Sequence, residues 1–154
     1  MKTFAGVPAH ALLVHGVVAL APLTALLLIL CAFWAAARRR LVWLVLGLAI
    51  AVAALTPITA SAGQWLYDRE SEHRPILELH QERGEWMIYF ALALLLVAIL
   101  QAVQHVMESR AEKAGRALPV IAAVLAVVVG VSSVVGVVLI GHSGAEAKWG
   151  TIAE

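Results

Sequence analysis

Residues 12–37 read LLVHGVVALAPLTALLLILCAFWAAA; Arg38-Arg39-Arg40 follows at once, and residues 41–61 read LVWLVLGLAIAVAALTPITAS. Neither apolar run holds a charged residue. A helix needs ~20 residues to cross ~30 Å of hydrocarbon, so each run is long enough to span a bilayer. With only three arginines between them, the two spans form a tight antiparallel hairpin. Two further runs, residues 86–106 and 117–140, repeat the pattern after a polar connection of residues 62–85 and a shorter one of 107–116. Backbone groups in lipid must pair internally, which makes these runs helices, and no alternating ten-residue pattern suggests a β-barrel. The fold class expected is an all-α membrane protein, a single antiparallel four-helix transmembrane domain over residues 1–154.

Composition agrees. Of 154 residues, 62% are hydrophobic and 14% charged, against ~25% charged in soluble domains. The net charge of +1 excludes a nucleic-acid-binding surface and a disordered chain. The single cysteine, Cys31, excludes an internal disulfide framework and a cysteine-based zinc site. Only Lys2 precedes the first run while three arginines follow it, the reverse of a signal peptide, so the first run reads as a retained span.

Orientation follows from the basic residues. Arg38, Arg39, Arg40, Arg110, Lys113 and Arg116 lie in the two short connections and make up six of the eleven Lys and Arg. The long connection and the two ends carry most of the acids. Both termini are therefore expected on the extracytoplasmic side. Within the spans, Pro22 and Pro57 suggest kinks, and Thr56-Pro57 with Thr59 suggests a helix opened near its outer end. Gly130, Ser132, Ser133 and Gly136 offer a close-packing face on the last span.

Topology sorts the six histidines. His10, His15, His73, His80 and His142 fall on the outer side, and His105 on the inner. At ~1.5 Å per residue, His15 lies ~34 Å above Arg38, His142 ~39 Å above Arg116, His10 at ~42 Å and His80 at ~45 Å. Three polypeptide segments thus bring imidazoles into one layer at the outer rim, where polar groups are expected to face the bundle interior. Neutral imidazole is the commonest metal ligand, and facing helices of a bundle commonly build cofactor sites. Two imidazoles at matched depth suit the axial positions of haem b, His15 and His142 first and His10 and His80 as alternates, with Arg74 and Arg83 placed to neutralise propionates. Three or four converging imidazoles suit copper or zinc instead, with Glu85 completing the shell. His10 and His15, five residues apart, diverge by ~140° on a regular helix. No phosphate loop, Ser-His-Asp set, His-Glu-x-x-His or Cys-x-x-Cys motif is present.

Gly6-Val7-Pro8-Ala9-His10 followed by Leu13-Val14-His15, then Thr56-Pro57, Ala62-Gly63, His80 with Gly84, and Gly141-His142-Ser143-Gly144-Ala145 resembles a bacterial membrane family known as domain of unknown function 2231. The ending, near Ala147 and Trp149, looks like its actinobacterial branch. The chain departs at Gly16, where many members have proline. The resemblance implies a four-helix domain in the bacterial cell membrane, and relatives joined to Rieske-type modules imply a redox setting by association.

These readings converge on a small redox subunit that binds haem b and exchanges electrons between the quinone pool and an extracytoplasmic partner. The alternatives are a non-haem copper- or zinc-binding membrane protein and a non-catalytic accessory subunit of a larger membrane complex or homo-oligomer. Whether the chain is an enzyme is left open by its residues.

Overall fold

The computed structural model describes residues 3–4, 6–72, 74–110 and 117–150. Two short strands, β1 (Thr3–Phe4) and β2 (Val7–Pro8), pair antiparallel. Gly6 turns between them with φ near +80°, a left-handed conformation that glycine adopts without strain. Five helices follow: α1 (Ala9–Phe33), α2 (Ala35–Tyr67), α3 (Pro75–Glu85), α4 (Met87–Ser109) and α5 (Ala117–Trp149). They form four stretches long and apolar enough to cross a membrane: α1, α2, α3 continued by α4, and α5. Together α3 and α4 make ~52 Å of helix against ~30 Å of hydrocarbon, so α3 stands above the bilayer.

The bundle is a square. Helix α1 packs against α2 and α5, α4 packs against the same two, and α1 and α4 meet more lightly across the diagonal. Helix α3 leans on α5 and α2. Leu28, Val45, Val52 and Leu94 fill the centre, with Ala21, Ala25, Ala49, Ala91 and Ala126 setting the close spacing.

Helix boundaries differ from the hydropathy boundaries. The first turn between spans is not at the arginines but at Trp34, one residue in extended conformation (φ −125°, ψ 100°). Its N–H donates to Leu30 O at 2.9 Å, and its carbonyl accepts from Arg38 N–H at 3.0 Å. Arg38, Arg39 and Arg40 are therefore helical, in the first two turns of α2. Apolarity continues through this corner, so composition does not mark it. Helix α2 also runs unbroken past Pro57. Thr56 and Thr59 donate to Val52 O and Leu55 O, each at 2.8 Å, which supports carbonyls around the proline without opening the helix.

Arg38 is buried and joins three helices. Its Nη1 donates to Cys31 O in the last turn of α1 at 2.8 Å. Nη2 donates to both carboxylate oxygens of Glu108 on α4, at 2.8 and 3.1 Å. Gln104 also donates to Glu108, at 2.9 Å. One turn deeper, Gln101 donates to Leu28 O at 2.8 Å.

The small-residue face on α5 is a packing surface at Gly130, Ser133 and Gly136, which are buried, whereas Ser132 lies one residue off that stripe and is exposed. A Cβ on Gly130 would stand 2.9 Å from Ile29 Cδ1 of α1 and 3.4 Å from Ala25 O. One on Gly136 would run into the Phe90 ring of α4. By contrast, Gly47 on α2 has nothing within 4 Å of the same position. Gly136→Val is therefore expected to destabilise the bundle by about 1–3 kcal/mol through overpacking. Gly47→Ala should be neutral or stabilising by up to about 1 kcal/mol. Thermal unfolding in detergent checks both, and equal effects of the two variants would contradict this packing.

Candidate site at the histidine end of the bundle

Two of the four candidate imidazoles come together. His10 is the second residue of α1, two positions after the Pro8 that precedes the helix. His80 is carried by α3, whose first residue is Pro75, where the missing N–H costs no helical bond. Their ring centroids are 6.4 Å apart with planes inclined at 74°. Both rings are partly buried.

Each ring is seated in the same way. His10 Nδ1 donates to Thr59 O on α2 at 3.0 Å, and His80 Nδ1 donates to Ile140 O on α5 at 3.1 Å. Four residues beyond each accepting carbonyl stands a glycine, Gly63 or Gly144. On a helix the side chain at i+4 covers the carbonyl of residue i; glycine leaves that carbonyl open to a neighbour. The seats are tight. A Cβ on Gly63 would lie 2.9 Å from His10 Cε1 and Nδ1, and one on Gly144 would lie 2.8 Å from His80 Cε1. Ser143 Oγ, itself bonded to Leu139 O and Ile140 O at 3.1 Å, lies 3.3 Å from His80 Nδ1.

A carbonyl only accepts, so each Nδ1 bears the proton and each neutral ring keeps Nε2 as an unprotonated lone pair. For His80 the neutral form is favoured further. Burial first, and then the neighbouring His10 ring, hold its pKa below the ordinary 6.5, partly opposed by the bond to Ile140 O. Neutral His80 thus contributes stability that is complete above 6.5 and declines as the pH falls below it, because the unfolded chain takes up the proton first.

The other candidate residues are placed elsewhere. His15 is exposed on α1, its Nδ1 bonded to Ala11 O of its own helix. His142 is exposed on α5, 3.7 Å from Glu146 one turn on. The two imidazoles read first as an axial pair are thus both exposed, each with a partner on its own helix. Arg74 donates to Ala147 O in the last turn of α5, and Arg83 donates to Leu139 O at 3.3 Å. Both arginines clip α3 onto α5. Glu85 is exposed at the end of α3. Among the described residues, no three or more of His, Cys, Asp and Glu gather as a metal set. His73 lies outside the described residues, and His105, at the opposite end, stands edge-on to Trp43.

Gly63 and Gly144 were legible only as members of short motifs, not as seats for the histidines. A second signal was present in the small residues. The buried stripe of α1 (Val17, Ala21, Thr24, Leu28, Cys31) is in phase with His10 seven residues before Val17, whereas His15 is in phase with exposed Leu12, Leu23 and Leu26.

No characterised protein and no solved structure matches the chain at a significant level. A family model does, over residues 6–152, which takes in both histidines, both glycines and all five helices. The four-helix membrane bundle and this match agree, and the chain belongs to the family described as predicted membrane protein DUF2231.

Proposed function

We propose that the chain is a copper-binding membrane protein that holds one cuprous ion between His10 and His80, at the extracytoplasmic rim of the bilayer. The observation that carries this reading is the paired seating of the two rings. Metal-ligating histidines almost always donate the other ring N–H to a carbonyl or carboxylate, which fixes tautomer and orientation. Both rings do so here, on opposite helices.

Distance supports the same reading. Metal–nitrogen bonds of ~2.0 Å on both sides bring the centroids of two imidazoles to about 6.3 Å when the ion lies between them, against the 6.4 Å separation of these rings. Monovalent copper accepts two nitrogen donors in a near-linear arrangement. Zinc asks for four donors, whereas Glu85, His15 and His142 are all exposed and the paired rings are half-buried. A single positive charge also carries a smaller desolvation cost near hydrocarbon than a divalent ion. Haem b, the first expectation from the sequence, relied on His15 and His142, and their outward placement favours the copper alternative.

Copper retention tests the proposal. Full-length protein loaded with cuprous ion under reducing conditions, then washed with a chromogenic cuprous chelator, should retain about one equivalent. His10→Ala and His80→Ala should each lower retention at least tenfold, and His15→Ala and His142→Ala should leave it unchanged. Retention should weaken in acid, because protons then compete for the Nε2 lone pair of His80, and burial with the neighbouring His10 ring moves that competition to a pH below the ordinary imidazole range. Full retention by His80→Ala, with all variants monodisperse, would contradict the site.

The orientation part of the proposal rests on the basic excess at the opposite end, Arg38, Arg39, Arg40 and Arg110. Alkaline phosphatase fused after Glu154 should be active, and a fusion truncated after Arg40 inactive. The opposite pattern would move the copper site to the cytoplasmic face.

A further inference from the structure

At the arginine end, remote from the histidines, a groove of about 440 Å³ runs between α2 and α4. Trp43 and Leu46 form one wall, and Ile99, Val103 and Val106 the other, with Arg110 at its mouth. The opposite wall closes on an arginine as well. Arg39 precedes Trp43 by four residues on α2 and is exposed, so it lies one turn nearer the same mouth. Among the described residues, neither Arg39 nor Arg110 has a carboxylate partner, whereas Arg38 has Glu108. The His105 ring stands edge-on to Trp43 with centroids 6.3 Å apart and braces that wall.

The geometry points to a binding site for one anionic phospholipid, its phosphate between Arg39 and Arg110 and an acyl chain along the groove. From Arg110 to Ile99 the groove is ~16 Å long, about the ~15 Å depth of one leaflet's hydrocarbon. Its walls are wholly apolar below the mouth and its two cations sit at headgroup level, the arrangement by which basic clefts between membrane helices take anionic headgroups. Arginine suits phosphate because its planar fork donates two bonds to adjacent oxygens. A second copy of this chain fits less well. A parallel two-fold dimer on this face would bring the two pairs of arginines against each other in a low-dielectric setting.

The test uses the full chain in a neutral detergent, with phosphatidylglycerol and phosphatidylcholine of identical acyl chains as probes. Native mass spectrometry should show one phosphatidylglycerol retained per chain, and thermal unfolding should rise by several degrees with phosphatidylglycerol but not with phosphatidylcholine. Arg39→Ala combined with Arg110→Ala should weaken retention at least tenfold, and lysine at both positions should restore part of it. Val103→Trp, which fills the groove and leaves both arginines in place, should weaken retention as well. Equal retention of the two lipids, or unchanged retention in the double alanine variant, would overturn the site. So would equal protection by glycerol phosphate, which has no acyl chain, or a dimer abolished by Val103→Trp, which would assign the groove to a second copy.

Discussion

Inside hydrocarbon no water is at hand to satisfy a carbonyl or a side-chain donor, and this constraint shapes every polar residue of the bundle. Many polar side chains of the interior answer it by bonding to backbone carbonyls, although Gln104 bonds the Glu108 carboxylate and, among the described residues, Ser133 Oγ, Gln101 Oε1 and His105 Nδ1 have no partner. Thr24 bonds Leu20 O, Thr56 bonds Val52 O and Thr59 bonds Leu55 O within their own helices. Gln101, Arg38, His10 and His80 reach instead to carbonyls of neighbouring segments, Leu28, Cys31, Thr59 and Ile140. The second group ties the helices together at both ends. Gln101 and Arg38 lock α1 to α4 and α2 at one end, while the histidines lock α1 to α2 and α3 to α5 at the other.

The histidine end is therefore built as two similar halves. In each, a helical segment introduced by proline delivers an imidazole to a carbonyl of another long helix, α2 for His10 and α5 for His80, over a glycine four residues further on. Two rings fixed from opposite sides are left close to each other, and among the described residues neither second nitrogen has a hydrogen-bond partner. That arrangement suits the rings to the ligand role proposed above, since each is restrained by a hydrogen bond and by contact with helix backbone. Glycine at positions 63 and 144 is a steric requirement: any side chain there displaces the ring from its carbonyl.

Much of this architecture was legible in the sequence because lipid leaves few options. Charge-free runs of the right length marked four spans, and Gly130 with Gly136 marked the face of α5 that meets α1 and α4. Boundaries were less legible. Residues Ala35–Ala37 are as apolar as the span before them, so hydropathy carried the first span past the true corner at Trp34. Counting depth along the helices put His10 and His80 at one level, and their ring centroids stand 6.4 Å apart. Azimuth was not legible, because α1 and α5 are apolar on every side and carry no amphipathic stripe to mark an inward face. The inward face is instead marked by residue size. Ala122, Ala126, Gly130, Ser133 and Ser143 turn inward on α5, while Val124, Val128, Val131, Val135 and His142 turn outward. Small residues line interfaces in membranes because packing, not hydrophobic transfer, brings helices together.

The central claim is that His10 and His80 together make a two-nitrogen metal site. Copper-edge X-ray absorption on the reduced, copper-loaded full chain addresses it most directly, because it reports donor type and number without reference to activity. The account predicts a two-coordinate cuprous ion with imidazole nitrogens alone. A shell of four donors, a sulfur donor, or the same spectrum from the His10→Ala and His80→Ala double variant would contradict it.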